Sequence, residues 1–387
     1  MNRFTIYLLA IGTFLTGTVA LVIGGIVNII AKDLHISLAL TGQLVTAYSL
    51  ACAIGAPLAV SYTSKYDRKK TLIIALSFFI LANLITIWSP NFYILLLGRL
   101  LFGISGGLYT IVALSVAAKL TPPEKMGQAI GTVIMGSSTS LVFGVPAGVL
   151  ITQFFHWKAI FLILAILSSF VMYGIVRKLP SIEGEASVPF KQQFKLLKET
   201  KIITGLLISL FWIASYALIY TYLTPFLQTT IHLSVSEISW TMMLLGVFAV
   251  LGSKLGGFGT DRFGTSQMIV SSLIINMLAL FSLEFITATL VKTLAIAIFW
   301  MCFAWMTAPA IQSYLIKQSG QNSSLILSLN NSVMQLGTAS GAALGGLILG
   351  ASHTVTFNPL FAGILLIVSL LASWISISLQ PKTVSSV

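Results

Sequence analysis

One base among twenty-one, Arg99, sits inside a long apolar run, "NFYILLLGRLLFGISGGLYT". It lies about six residues, or roughly 9 Å, from the edge of that run. A guanidinium at the centre of such a run costs about 2.5–3.5 kcal/mol on insertion scales, and less near its end. Two readings repay that cost: Arg99 faces a central cavity, where it tunes proton movement or binds an anionic group, or it reaches back to the headgroups on its long stem. Acids that could carry a proton are scarce. Asp67, Glu124, Glu183, Glu185, Glu199 and Asp261 fall in links on one side, Asp33 and Glu237 flank the ends of runs on the other, and only Glu284 falls within one, close to its edge. The four histidines, His35, His156, His232 and His353, all lie in links and read as caps or loop contacts. Cys52 and Cys302 stand alone in apolar stretches, so they suggest packing rather than a disulfide or a metal site. No nucleophile–base constellation, nucleotide-binding loop or metal-ligand spacing is present, which argues against an enzyme or an ATP-driven pump.

Hydrogen-bonding and aromatic side chains are more plentiful in the runs. "LFWIASYALIYTYLTPF" places Trp212, Tyr216 and Tyr220 at spacings of four, on one helical face. Tyr48, Tyr109, Gln312, Asn331 and Gln335 add polar groups elsewhere. A pocket built from these residues suits an amphipathic organic solute; as ordinary packing or interface belts they would need no ligand.

The elements that must position these groups follow from composition. Hydrophobic residues make up 57% of the 387 positions and charged residues 8%, with a mean hydropathy of +0.99, far from soluble chains, in which about a quarter of residues are charged. A window of about 19 residues finds twelve runs able to cross a bilayer as helices, near 5–31, 40–62, 71–89, 93–118, 127–152, 159–178, 202–228, 237–257, 268–287, 292–316, 324–350 and 358–379. The chain is therefore an all-α polytopic membrane protein. The net charge of +12 is carried by the links and does not form a nucleic-acid surface. Seventeen bases fall on one side: Arg3, Lys65, Arg68, Lys69, Lys70, Lys119, Lys125, Arg177, Lys178, Lys191, Lys195, Lys198, Lys201, Lys254, Arg262, Lys317 and Lys382. Lys32, Lys158 and Lys292 fall on the other. By the positive-inside rule the first side is cytoplasmic, and both termini with it. The long polar stretch between the sixth and seventh spans divides the chain into a six-helix half, 1–178, a cytoplasmic linker, 179–201, and a second half, 202–387.

Sliding the chain against itself by 197 residues pairs His35 with His232, His156 with His353, Gly55 with Gly252, Gly144 with Gly341 and Gly148 with Gly345. Coincidences at a single offset mark an internal duplication. Gly103 and Gly107, Gly144 and Gly148, and Gly341 and Gly345 have the four-residue spacing of close-packing membrane helices, and Pro146 is expected to bend the fifth span. In the same register "TSKYDRKK" (63–70) and "GTDRFGTSQ" (259–267) occupy equivalent links, with Ser64 on Asp261 and Asp67 on Gly264.

Here the chain resembles the major facilitator superfamily, whose signature in this link is roughly G-x-x-x-D-R-x-G-R-R. Gly257, Asp261, Arg262 and Gly264 match it, whereas the first copy keeps only the basic end, Arg68, Lys69 and Lys70, and carries Asp67 three residues along. "GRLLFGISGGLYTIVAL" resembles the fourth-helix motif. "GSSTSLVFGVPAGVLI" and "NNSVMQLGTASGAALGG" resemble the twelve-helix drug/proton antiporter branch, among the arabinose, purine and drug efflux permeases. The resemblance implies two pseudo-symmetric halves, no cofactor, a proton gradient as energy source, and a latch at Asp67, Arg68, Asp261 and Arg262 that closes the cytoplasmic side. It also implies a bacterial cell membrane, a small-molecule substrate, lipid as the surrounding partner, and a monomer. The family often carries an acid in the first helix; Ala20 stands there instead. Three functions are open on this reading: a proton-coupled exporter in the manner of multidrug resistance efflux, an importer or uncoupled facilitator for a purine, sugar or organic anion, and a membrane receptor that does not transport.

Overall fold

The computed structural model describes residues 3–122, 125–184, 199–285, 289–319 and 323–379; the side chains at 3, 127, 284, 285, 319 and 323–325 lie outside the description, Glu284 among them. Among the described residues twelve helices are long and apolar enough to cross a membrane, as hydropathy predicts. They are α1 Arg3–Asp33, α2 Leu38–Thr63, α3 Arg68–Ile87, α4 Phe92–Lys119, α5 Gln128–Phe154, α6 Lys158–Lys178, α7 Thr200–Thr221, α8 Val235–Phe263, α9 Thr265–Phe285, α10 Leu290–Ser319, α11 Ser323–Ser352 and α12 Asn358–Ser378. No strand occurs among the described residues. In hydrocarbon a helix satisfies its own backbone, which is why sequences this apolar adopt helices.

Proline explains most departures from regularity. In α2 a π-turn, Ala51–Gly55, precedes Pro57, and in α5 another, Ser140–Gly144, precedes Pro146. A proline supplies no N–H to the preceding turn, and the wider turn absorbs the misfit. The bend expected at Pro146 is thus a π-turn on its N-terminal side. The seventh span is interrupted rather than continuous: α7 stops at Thr221, Tyr222 leaves helical geometry at φ −112°, ψ 16°, and the chain resumes as Leu223–Ile231. Pro225 cannot bond the Thr221 carbonyl, and the helix breaks there.

Glycine sets the helix spacing. A methyl group added at Gly103 would overlap the Tyr48 carbonyl, joining α4 to α2; at Gly136, the Ala10 carbonyl, joining α5 to α1. At Gly252 it would strike the Cys302 carbonyl, between α8 and α10, and at Gly341 the Ala214 carbonyl, between α11 and α7. Gly144 and Gly148 face Thr18 and Val22 of α1, while Gly345 faces Tyr222 and Leu218. The repeat therefore extends to packing, since α5 on α1 and α11 on α7 are the same contact in the two halves.

Three paired histidines end helices in the left-handed region: His35 at φ 53°, His232 at φ 55° and His353 at φ 57°. His is among the residues that tolerate this conformation, and His232 caps Leu223–Ile231 directly. His156, equivalent to His353, instead sits 3.2 Å from Asp33.

The two six-helix halves meet at the end of the bundle away from the basic links. There α2 lies against α11, the C-terminal part of α5 against α8, and α1 against Leu223–Ile231. The basic-end portions of α2 and α5, 56–63 and 126–139, pack within their own half, with at most isolated contacts to the other. The halves thus part toward the basic end.

Gly341→Leu should force α7 and α11 apart and lower stability by about 1–3 kcal/mol or more, read as a lower melting temperature of the detergent-solubilised protein. Gly350→Ala, where nothing lies within 4 Å of the added carbon, should melt like the parent.

Candidate functional site

A cavity of about 370 Å³ lies between the halves, within the usual range for small-molecule sites. One wall is α1, with Gly17, Ala20 and Gly24 at its surface. Facing it are Tyr216, Tyr220 and Thr221 of α7 and Trp305 of α10; Tyr48 and Ser49 of α2, Ser137 and Ser138 of α5, Ser253 of α8, and Gln335 and Thr338 of α11 complete the polar lining. The described lining holds hydroxyls, one amide and one indole.

The aromatic wall is stacked. Tyr216 lies 5.2 Å from Tyr220 with planes 17° apart and 5.7 Å from Trp300 with planes 19° apart, and Trp305 meets it edge-on at 5.7 Å. Such pairs contribute about 0.5–1.5 kcal/mol each beyond burial and hold the rings rigid. Trp300 Nε1 is buried without a hydrogen-bond partner, and Tyr216 Oη and Trp305 Nε1, sealed in the same way, find only each other. An unmade bond of this kind costs about 1–3 kcal/mol.

Of the residues singled out from sequence, Tyr48, Tyr216, Tyr220 and Gln335 line the cavity. The other five do not. Trp212, on the same helical face as Tyr216 by spacing, donates from Nε1 to the Ala304 carbonyl at 2.9 Å and packs α7 onto α10. The Tyr109 hydroxyl reaches the Leu9 carbonyl at 3.4 Å, and its ring fills the space that the missing side chain of Gly12 leaves open. Gln312 and Asn331 are exposed, nearer the basic end. Arg99 is fully buried behind Tyr48, donating from Nη1 to the Val19 carbonyl at 2.8 Å and from Nε to the Leu44 carbonyl at 3.2 Å; its Cζ lies 4.8 Å from the Tyr48 ring centre. Carbonyl dipoles and an aromatic face thus stabilise its charge, and snorkelling to the headgroups does not occur. Nη2 has no partner. Sequence reasoning missed Trp305 and the small residues Gly17, Gly24, Ser137 and Ser138; their only signal is that they share helical faces with lining residues.

At the far end the closure uses neutral groups. Asn28 Nδ2 donates to Gln228 Oε1 at 2.6 Å, Thr224 Oγ1 approaches the carbonyls of Gly24 and Gly25 at 3.1 and 3.2 Å, and Ser239 Oγ donates to the Pro146 carbonyl at 2.9 Å.

The two duplicated links differ. Gly264 ends α8 at φ 88°, a left-handed position that favours glycine, and lets α9 begin at the next residue. Gly257 has open space around its α-carbon. Asp261 and Arg262 are exposed, with no ion pair between them; the Arg262 guanidinium rests 5.6 Å from the Phe263 ring centre. Asp67, at the position of Gly264, instead caps α3: Oδ1 accepts from Lys70 N at 2.9 Å, while Oδ2 accepts from Ile182 N at 2.9 Å and from the Ser181 hydroxyl. Arg68, itself buried, donates its backbone N–H to the Ile182 carbonyl at 2.8 Å, and Lys119 Nζ donates to the Glu183 carbonyl at 3.1 Å. The start of the linker is therefore strapped across the first-half link. Partial burial works to raise the Asp67 pKa, but the hydrogen bonds from Ser181 and from the Lys70, Ile182 and Lys69 backbone outweigh it and hold the carboxyl below its usual value.

A depressed carboxylate pKa stabilises the folded arrangement at every pH above the unfolded value of about 3.9, and that contribution is lost as pH falls through the folded one. A spin label at Glu183→Cys, in a protein lacking other cysteines, should keep the same mobility from pH 8 to 5 and loosen only in stronger acid. Adding Asp67→Asn should mobilise it at pH 7; an unchanged spectrum would show that the strap does not depend on the carboxylate.

Comparison with known proteins places this geometry in a wider group. The family model for the Major Facilitator Superfamily matches residues 9–323 and 206–386. The MFS-type transporter YbcL of Bacillus subtilis (strain 168) is 34% identical over 382 residues, 98% of this chain and 97% of that one. A chloramphenicol resistance protein of Streptomyces lividans is 26% identical over 261 residues, 66% of this chain and 67% of the other. Among solved structures, a D-xylose-proton symporter superposes with a TM-score of 0.83 at 17% identity, covering 99% of each chain, and so shares the fold. The twelve-helix bundle, its duplicated halves and the cavity between them are those of a transporter of small solutes, and the chain belongs to the Major Facilitator Superfamily.

Proposed function

We propose that this protein exports a small organic solute from a bacterial cell by alternating access, driven by exchange against protons. The observation that carries the reading is the cavity between halves that meet at the far end and part at the basic end. With the basic links cytoplasmic, this is the inward-facing state, ready to load from inside. Solute would enter past α5 and α8 and settle against the α7 and α10 aromatics. Release would require breaking the Asn28–Gln228 and Thr224–Gly24 bonds, which are neutral and therefore cheap to exchange for water. Asp261 and Arg262, unpaired here, would engage only when the basic end closes. The resistance-protein relative and the "GVPAG" stretch of α5 support outward movement. Arg99, one ring behind the wall, would set the positive potential that links solute and proton occupancy.

A second reading, uncoupled facilitation, is favoured by the lining itself: Ala20, where an acid would serve, stands on the cavity wall.

Purified protein in liposomes with an imposed pH gradient, offered purines, sugars and cationic and anionic drugs, separates the two. Accumulation that collapses with the gradient is expected; equilibration indifferent to it would establish facilitation. Arg99→Ala should abolish gradient-driven accumulation while leaving a folded protein. Asp261→Asn should shift the population toward the inward-facing state, seen as slower labelling of far-end cysteines; equal labelling would reduce the Asp261–Arg262 pair to a topology marker.

A further inference from the structure

The internal duplication extends to the cavity wall. At the 197-residue offset three pairs of equivalent but unlike residues line it: Gly24 and Thr221, Ser138 and Gln335, Leu141 and Thr338. In every pair the second half supplies the more strongly hydrogen-bonding side chain. Ser138 stands on α5, which packs on α8, and Gln335 on α11, which packs on α2, so a short side chain and a long one occupy opposite flanks of the cavity. The Gln335 amide makes no hydrogen bond among the described residues, and neither its oxygen nor its nitrogen is sealed off. The Ser138 and Ser253 hydroxyls are open in the same way, but a hydroxyl rotates to suit either a donor or an acceptor. An amide holds its acceptor and its donors fixed in one plane, and Gln335 is the one amide of the described lining. That lining carries no acid, Lys, Arg or His, so an ion placed there would lose its hydration without gaining a counter-charge.

Resting on the transporter reading above, we infer that the solute is uncharged and bears an amide-type edge, a carbonyl beside an N–H, which pairs with the Gln335 amide through two hydrogen bonds. Gln335 Nε2 donates to the carbonyl and Oε1 accepts from the N–H. Ser138, on the opposite flank, leaves the width in which the rest of the solute lies. Gln335 thereby sets specificity, because a solute without the N–H leaves Oε1 desolvated and unpaired.

Equilibrium binding to the purified full-length protein in nanodiscs, with no gradient present, tests this separately from transport. The probes are quinolin-2-one, a neutral lactam, 1-methylquinolin-2-one, which lacks the N–H, and 2-oxoquinoline-4-carboxylate, which keeps the lactam and adds a negative charge. The lactam should bind saturably, about 3- to 10-fold more tightly than the methylated form, the span of one hydrogen bond, and at least about tenfold more tightly than the anion. Gln335→Leu should weaken lactam binding and erase its advantage over the methylated form. Gln335→Ala, a smaller side chain, should do the same, so a leucine variant that fails to fold does not decide the matter. Gln312→Leu, which removes an amide outside the cavity lining, should leave both affinities unchanged. Absence of saturable lactam binding, equal affinity for the methylated or the anionic probe, or a preference that survives loss of Gln335 would overturn the inference. A Gln335-dependent preference in a protein that fails to exchange solute against protons would sink the exporter reading and leave the role of Gln335 standing; proton exchange without that preference would do the reverse.

Discussion

Everything in this molecule hangs on how closely its helices approach. In a bilayer no hydrophobic force pulls one apolar helix toward another, because lipid tails are as good a neighbour as leucine. Contact must be won by shape, and glycine opens it. Gly103, Gly136, Gly252 and Gly341 each bring a helix backbone against a carbonyl of its neighbour. Those four contacts fix α2 on α4, α1 on α5, α8 on α10 and α7 on α11, and so fix both halves as bodies. Between bodies the glycines are fewer, Gly24 against Tyr220, Gly42 against Tyr222, Gly246 against Leu141 and Gly346 against Ala39, and the remaining bonds are neutral. The halves are built to hold internally and to part from each other.

A rigid half lets charge be placed where solvent could not hold it. Arg99 has no carboxylate partner among the described residues; it is kept ionised by helix carbonyls and by the Tyr48 face. Tyr48 in turn forms part of the cavity lining, so the electrostatics of the cavity are set through a ring and not by a formal charge in contact with solute. Such an arrangement polarises the wall without forming an ion trap.

The fold was legible because its rules are periodic: hydropathy located twelve spans, and glycine spacing marked α4, α5 and α11 as close-packing, although which helices they meet only the structure shows. What spacing could not separate was function within one face. Trp212, Tyr216 and Tyr220 are indistinguishable by register, and only the Ala304 carbonyl, 92 positions away, ties the first into the helix contact while the other two line the cavity. The role of Asp67 was equally hidden. Its displacement from the position of Asp261 looks like decay of a motif; the partners that explain it, Ser181 and Ile182, lie more than a hundred residues along. The break at Tyr222 could have been anticipated from Pro225. The openings lined by Gly17 and Gly24 could not, since a cavity is defined by what faces it.

The two π-turns bear on the duplication itself. Gly55 pairs with Gly252 and Gly144 with Gly341 at one offset, so no residue was inserted to make them, yet α8 and α11 run as unbroken helices where α2 and α5 widen. Pro57 and Pro146 have Lys254 and Ala343 as counterparts. Two copies of one plan have thus become mechanically unlike: the first yields at π-turns inside its second and fifth spans, and the second at the break that follows Thr221 in its first.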